Sequence, residues 1–280
     1  MKTFSAALQT HLNGPLTKLA TCIKITRTDT TVYGFTTHDR TLVISGVTYV
    51  PTNGFTPTDL TGNANLDSDD MTVEGILASA TITEDDLRAG RWDYAEFRIF
   101  QVNWSDLTMG DKKDRIGHLG EVSAQRQIFV AELLGLMEAY ATSVGELAQP
   151  GCRYSLGDAR CKVDTAPFVV VGTIDACDTD FFTLHDAARA EADGYFDEGI
   201  IQFTSGAANG LRYEIKAYLV GLWVTKTAVA YDVTGASYTM TAGCDRRRET
   251  CRDRFSNVVN FGGEPFVPGI DSAFAVARHE

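Results

Sequence analysis

The sequence predicts a mainly β fold with short helices, divided between two domains. Many short segments alternate apolar and polar residues with period two, which is typical of strands. Turns rich in Gly, Asn and Asp separate these segments. The length of 280 residues exceeds a typical domain of about 100–200 residues, so two domains are expected.

The N-terminal half carries several strand signals close together. The predicted elements are a helix over residues 1–14, strands over 19–27 and 31–35, a hairpin over 41–50 that turns at Ser45-Gly46, strands over 71–82, 95–102 and 127–136, and short helices over 83–90 and 137–148. The strand over 95–102 is apolar on both faces and is expected to be buried on both. Adjacent strands so early in the chain indicate a small β-barrel or a sandwich.

The C-terminal half is β-rich as well. The predicted elements are strands over 168–174, 180–184, 200–204, 211–217, 222–229 and 238–242, and a helix over 185–192. Asn209-Gly210 predicts a tight type I′ hairpin turn, because this dipeptide readily adopts positive φ angles. Gln149-Pro150-Gly151 separates the two halves, so the predicted domains are residues 1–150 and 151–280.

Charge and hydropathy argue against nucleic acid binding, a membrane span and a signal peptide. The formal net charge of −12 opposes contact with nucleic acid phosphates over most of the surface, so sequence-specific nucleic acid binding is not expected. No stretch approaches the ~20 apolar residues of a membrane span. The first residues also lack the unbroken apolar stretch of a signal peptide. These features favour a soluble protein that folds in the cytoplasm with reduced thiols.

Four of the six cysteines form two close pairs. Cys152 and Cys161 enclose eight residues, and Cys244 and Cys251 enclose six. Structural zinc sites usually have two to four residues within each pair, so these spacings favour a bulkier centre, and an iron–sulfur cluster held by four thiolates is the natural candidate. Zinc and two local disulfides remain the alternatives.

Cationic residues crowd the loops that carry these cysteines. They would offset the negative charge of a four-thiolate cluster, or else pair with nearby carboxylates at the surface. The cations are Arg153, Arg160, Lys162, Arg246, Arg247, Arg248, Arg252 and Arg254, and the carboxylates are Asp158, Asp245, Glu249 and Asp253.

Several motifs resemble one family of tail proteins. The N-terminal motifs are Gly34-Phe35-Thr36-Thr37-His38-Asp39-Arg40-Thr41-Leu42, Gly46-Val47-Thr48-Tyr49, Val102-Asn103-Trp104, Gly117-His118-Leu119-Gly120-Glu121 and Ala131-Glu132-Leu133. The C-terminal motifs are Gly243-Cys244-Asp245, Cys251, Arg254-Phe255, Asn257, Asn260-Phe261-Gly262-Gly263 and Pro268-Gly269. In this order they resemble the baseplate hub or tail tip proteins of long-tailed phages and gene transfer agents, and are similar to the tail tip proteins of lambda-like phages. Glu264 departs from the pattern, because the family has an aromatic residue before this proline.

The resemblance implies a structural protein and not an enzyme. It implies a homotrimer of small, tail-tube-like β-barrels at the tail tip, which joins the tail tube to the tip and contributes to envelope penetration and DNA ejection. The implied partners are the distal tail protein, the tip and fibre proteins, and the host cell envelope, which is contacted through the assembled tip. The resemblance also implies a cluster, of the [4Fe-4S] type, ligated by Cys152, Cys161, Cys244 and Cys251.

No catalytic residues are predicted. His38-Asp39 is the one suggestive pair, but adjacent strand residues point to opposite faces, so a turn in which Asp39 hydrogen-bonds the backbone is expected. Nucleophile-elbow, P-loop and dinucleotide-binding motifs are missing from the sequence. A cell-wall-degrading hydrolase and an iron–sulfur redox protein are the competing hypotheses.

Overall fold

The fold is mainly β, as predicted, and forms two compact units. A computed structural model describes residues 4–51, 56–57, 71–76, 83–125, 128–135 and 145–267. One unit spans Met1–Ser143 and the other Val144–Glu280. Helices are short in the described residues, and none of them has the length and apolar character to cross a bilayer.

The first unit is built on a nine-stranded sheet. Its elements are α1 (Ala6–Leu12), β1 (Leu19–Thr26), β2 (Val32–Thr36), β3 (Leu42–Ile44), β4 (Val47–Pro51), β5 (Thr56–Pro57), β6 (Met71–Ile76), α2 (Glu84–Arg88), β7 (Glu96–Asn103), β8 (Asp111–Gln125) and β9 (Ile128–Gly135). The strands lie in the order β3-β4-β2-β1-β7-β8-β9-β6-β5. No strand was predicted from the sequence at β8 or at the two-residue β5.

The centre of this sheet is buried on both faces. Phe97 and Ile99 of β7 belong to one hydrophobic cluster, and Phe100 and Val102 belong to another. Because side chains alternate across a strand, the two clusters lie on opposite sides of the sheet. The prediction for residues 95–102 is therefore confirmed.

The hairpin turn at Ser45-Gly46 and the short helix within residues 83–90 are also confirmed. Ser45 and Gly46 have φ angles of 50° and 80°, and they join β3 to β4 in an antiparallel hairpin. The Thr83 side chain caps α2 by accepting a hydrogen bond from Asp86 N at 3.2 Å. Gly90 then ends the helical turn with a φ of 65°.

The second unit is built on a seven-stranded sheet. Its elements are β10 (Val169–Thr173), β11 (Ala176–Cys177), β12 (Thr183–His185), β13 (Ile200–Phe203), β14 (Arg212–Leu219), β15 (Leu222–Thr225), β16 (Ser237–Thr241) and α3 (Arg248–Asp253). The strand order is β10-β16-β13-β14-β15-β12-β11. All six predicted strands are present, whereas the two-residue β11 was not predicted.

This second sheet curls until its two ends meet. The terminal strands β10 and β11 are separated only by Ile174 and Asp175. Ile174 N donates to Ala236 O at 3.0 Å on one side, and Asp175 N donates to His185 O at 2.8 Å on the other. The enclosed interior is filled by large side chains, among them Trp223, Tyr238 and Phe203.

A polar contact lies within this apolar interior. Tyr238 Oη donates a 2.6 Å hydrogen bond to Asp186 Oδ2, and both residues are buried. Burial, followed by the hydrogen bond and charge of Asp186, raises the pKa of Tyr238, so the phenol stays protonated and keeps donating. The segment around Asp186 is thereby fixed against the core.

Two predictions for this unit were wrong in detail. Residues 186–192 are not helical, because Asp186 is held by Tyr238 and its Oδ1 accepts from Ala188 N at 2.8 Å. The hairpin between β13 and β14 exists, but Gly210 alone of Asn209-Gly210 has a positive φ. The connection is longer than a type I′ turn because it folds inward to bury Ala208.

One predicted helix falls largely outside the described residues. It covered residues 137–148, of which 137–144 are not described. Residues 145–148 have no regular structure.

Tyr238→Phe is expected to destabilise the second unit by about 1–3 kcal/mol, because it removes the donor to the buried Asp186 carboxylate. Urea denaturation followed by near-ultraviolet circular dichroism measures this. Tyr94→Phe is the control, since Tyr94 is 69% exposed, and it should shift stability by less than about 0.5 kcal/mol. Equal stability of the two variants would contradict the assigned role of the Asp186 contact.

Candidate cysteine site

Sheet pairing brings the two cysteine loops to the same place. Val169 opens β10 and is paired with Thr241, the last residue of β16, in antiparallel register. The loop that leads into β10 and the loop that leaves β16 therefore lie at one edge of the sheet. The first loop carries Cys152 and Cys161, and the second leads to Cys244 and Cys251.

Hydrogen bonds join these loops directly. Cys152 N donates to Arg246 O at 2.8 Å, which ties the first loop to the second. Asn257 N donates to Cys251 O at 2.9 Å, and the Asn257 amide donates to Cys161 O at 2.6 Å. Asn257 thus links one member of each pair.

Two donors also lie against cysteine sulfurs. Gly262 N is 3.3 Å from Cys152 Sγ, and Asn257 Nδ2 is 3.7 Å from Cys161 Sγ. N–H donors of this kind favour a charged thiolate over a neutral thiol. Three loops, over residues 151–161, 243–251 and 257–263, therefore share one locality.

The thiols of the two pairs are close enough to influence one another. Cys152, Cys161 and Cys251 are each 8% exposed, and Cys244 is half-buried. Burial raises the pKa of Cys251 to about 11, and the charges of the other three cysteines add to this effect. The pKa of Cys244 is also raised, chiefly by burial. Burial and the neighbouring charges therefore disfavour the thiolate forms of Cys244 and Cys251.

The donor set differs from a site for a single metal ion. No group of three or more His, Cys, Asp or Glu residues within the described part of the chain is arranged to hold one ion. All six cysteines are free, so none is joined in a disulfide.

Several of the predicted cations are held by carboxylates. Arg153 forms a two-point ion pair with Glu264, with N···O distances of 2.7 and 2.9 Å. Arg160 contacts Glu146 at 2.6 Å. Arg252 contacts Asp253 at 2.7 Å, as the surface-pairing alternative expected. Neither Glu146 nor Glu264 was among the predicted carboxylates.

Asp158 has another role from the one predicted. Its carboxylate accepts backbone N–H groups from Ser155, Arg160 and Cys161, the last at 2.6 Å. These bonds, the one from Cys161 first, lower the pKa of Asp158. Asp158 therefore shapes the loop that presents Cys161.

Glu264 closes the loop cluster from the C-terminal side. Its side chain accepts from Gln149 N at 3.1 Å, and its own N–H donates to Gln149 O at 2.9 Å. The Arg153 hydrogen bond lowers the pKa of Glu264, so the carboxylate stays charged. Glu264, which departs from the family pattern, thus anchors the residues around Cys152.

The glycines before Glu264 are required by close contact. A Cβ on Gly262 would lie 2.3 Å from the Tyr154 ring, and one on Gly263 would lie 2.6 Å from Gly151 O. Only glycine lets this segment approach the Cys152 loop. Asn257, Gly262 and Glu264 were not predicted as site residues, although the first two lie within the C-terminal motifs quoted above.

The His38-Asp39 prediction was wrong in its detail. The two residues lie in an irregular bend, and their side chains meet at 3.1 Å between His38 Nδ1 and Asp39 Oδ1. His38 Nδ1, and not Asp39, accepts the backbone N–H of Arg40 at 3.0 Å. The His38 ring also packs on Trp104.

Comparisons with known proteins agree with one another. Residues 5–164 match a family model described as "Baseplate hub protein, N-terminal attachment domain", and residues 194–271 match one described as "Phage conserved hypothetical protein BR0599". A search of curated proteins finds no match. Among solved structures, the chain is similar to one from the virion of a native gene transfer agent particle, with a TM-score of 0.85 and 33% identity over 97% of this chain and 95% of that chain.

Asn257→Ala is expected to loosen the Cys161 loop. It removes the hydrogen bond that the Asn257 side-chain amide donates to Cys161 O, and it removes the oxygen that accepts from the Asn260 side chain. The expected cost is about 1–3 kcal/mol. Hydrogen exchange of peptides covering residues 152–165, read by mass spectrometry, should show faster exchange. Val259→Ala is the control, since Val259 is 92% exposed. Unchanged exchange in Asn257→Ala would show that Asn257 does not hold the loop.

Proposed function

The chain belongs to the baseplate hub protein family, and on this basis we propose that it is a structural hub in the tail of a phage-like particle, either a phage or a gene transfer agent. The observation that carries this is the likeness, over nearly the whole of both chains, to a chain of a gene transfer agent virion. We propose that the protein acts through rigid surfaces and performs no catalysis. Close-packed cores on both faces of the first sheet and inside the second support such rigidity.

We further propose how the hub is used. As a homotrimer it joins the tail tube to the tip, contacts the distal tail protein and the tip and fibre proteins, and contributes to envelope penetration and DNA delivery. Small closed β-barrels are the proposed building units. The curled sheet of the second unit supports this, because its two terminal strands come from one continuous segment.

The end of the nine-stranded sheet offers a surface for assembly. Strand β3 is terminal in the strand order, so one side of its backbone lies outside the ladder. Val43, at the middle of β3, is 61% exposed. Unpaired strand edges pair readily with another chain, and apolar edge side chains strengthen such contacts.

We propose that Cys152, Cys161, Cys244 and Cys251 ligate an iron–sulfur cluster, of the [4Fe-4S] type, with zinc or disulfides as the alternatives. When bound, the cluster supplies the positive iron centres that four thiolates require. The convergence of both cysteine pairs, joined by the hydrogen bonds from Cys152 N to Arg246 O and from the Asn257 amide to Cys161 O, supports the proposal.

The surrounding residues have defined tasks in this proposal. Gly262 N and the Asn257 amide donate to sulfur and lower the energy of the thiolate form. Asp158 orders the Cys161 loop through its backbone contacts. The Arg153–Glu264 pair fixes the C-terminal segment over Cys152. The bound cluster would hold together three segments that form few of the backbone hydrogen bonds of helices and sheets.

Iron and acid-labile sulfide measured on anaerobically purified protein test the ligand set. Serine at Cys152, Cys161 or Cys251 should remove most of the iron and lower the melting temperature, because one ligand to the cluster is lost. Cys177→Ser is the matched control and should keep its iron. Bound zinc without sulfide, or two disulfides in the native protein, would contradict the cluster.

Deletion of the gene, with complementation by variants, tests the hub role. Particles from the deletion strain should lack an assembled tail tip in electron micrographs, and the wild-type gene should restore it. Val43→Lys should complement poorly, because it places a charge at the proposed assembly edge. Leu16→Lys, at a position 76% exposed and outside any strand, is the control and should complement fully. Normal tail tips in the deletion strain would refute the hub assignment.

A further inference from the structure

A cleft of about 740 Å³ lies beside the cysteine loops in the second unit. Its floor is the outer face of the curled sheet, with Ile200 and Gln202 of β13, Arg212 of β14 and Thr239 of β16. One wall is formed by residues 154–156, and the other by residues 244–247. The volume falls in the range of natural ligand sites, about 300–1,000 Å³.

Arginines without a carboxylate partner line this cleft. Among the residues that the structure describes, Arg246 takes part in no salt bridge, and Arg212 donates only to the neutral amide of Gln202, at 3.1 Å. Arg247 lies 3.8 Å from Asp245 and is 78% exposed, so that contact is weak. Guanidinium groups that no carboxylate engages, in a chain of net charge −12, attract an anionic group to their end of the cleft.

The backbone at Arg246 is strained. Its φ is 60°, in the left-handed region that glycine adopts without cost and other residues rarely adopt. The loop is kept in this conformation because Arg246 O accepts the hydrogen bond from Cys152 N. Strained non-glycine residues cluster at functional sites, so a functional role is expected for the Arg246 side chain.

We infer that this cleft binds an acidic peptide segment of a neighbouring protein in the particle, with Arg246 and Arg212 receiving its carboxylates. The inference rests on the proposed function, since it assumes assembly with other proteins. Guanidinium groups with free N–H donors suit carboxylates because they can bind them with two parallel hydrogen bonds.

The floor of the cleft favours a peptide over a nucleic acid. Glu198 and Glu214 line it too, and both are paired with Lys226, at 2.5 and 3.0 Å. A continuous phosphate backbone would meet these carboxylates, whereas a peptide can place acidic side chains only at the arginines. Ile200, 44% exposed in the same floor, gives an apolar side chain of the peptide a contact surface.

The test measures fluorescence anisotropy of a labelled peptide rich in glutamate and leucine, titrated with the full chain at low salt. Arg246→Gly should weaken binding about fivefold, the worth of one exposed ion pair of about 1 kcal/mol. The same variant should melt at an unchanged or higher temperature, because glycine relieves the strained φ.

Lys162→Gly is the matched control. Lys162 is exposed, has the same φ of 60°, follows Cys161 and does not line the cleft. It removes one positive charge and the same kind of strain, so its peptide affinity should stay at the wild-type value.

Four results would overturn the inference: no peptide binding by the wild-type chain, equal loss of binding in both variants, tighter binding of duplex DNA than of the peptide, or loss of iron in Arg246→Gly alone. That loss of iron would assign the arginine to the cysteine site instead. Failure of the hub role appears separately, in the deletion strain, whatever the peptide result.

Discussion

The second unit depends on one constraint, the meeting of loops that lie far apart in the sequence at a single edge of the sheet. The pairing of Val169 with Thr241 places the loops side by side, and the hydrogen bond from Cys152 N to Arg246 O then joins them. The Cys152 and Cys161 loop and the residues around Cys244 are irregular, and the segment after Asn257 has only a 3-10 turn over Val258–Asn260. Their arrangement therefore relies on contacts between loops more than on ladder hydrogen bonds.

That constraint explains why buried thiols are tolerated. Four cysteines brought together without a partner would gain little beyond ordinary apolar burial, and burial, followed by the charges of the other cysteines, raises the pKa of Cys251. The N–H donors of Gly262 and Asn257 near sulfur would have little use in a purely apolar site. The joint burial of the four thiols and the N–H donors beside sulfur are both explained if the thiolates hold a cationic centre.

The strands were largely predictable from the sequence. Period two identified most strands of both sheets, but not β5, β8 or β11, and the double-sided burial of Phe97, Ile99 and Phe100 follows from the apolar residues of β7 on both faces. The pattern failed where tertiary contacts decide the conformation. Residues 186–192 look helical, but the buried Tyr238–Asp186 bond holds them in turns. Burial of Ala208 likewise lengthens the turn at Asn209-Gly210.

The candidate site was predictable only in part. Cysteine spacing suggested a shared site, but it could not identify Asn257, Gly262 or Glu264, because their roles depend on backbone approaches across the fold. Arg153 pairs with Glu264 and Arg160 pairs with Glu146, and neither acid is near its arginine in the sequence. Sequence proximity therefore pointed to the wrong acids. Partners in three dimensions follow from strand pairing, which local patterns do not encode.

Anomalous scattering at the iron absorption edge, from crystals of the anaerobically purified protein, tests the central claim most directly. The expected result is a single strong peak between the sulfur atoms of Cys152, Cys161, Cys244 and Cys251. A map without an iron peak, with these cysteines joined as disulfides or gathered around zinc, would contradict it.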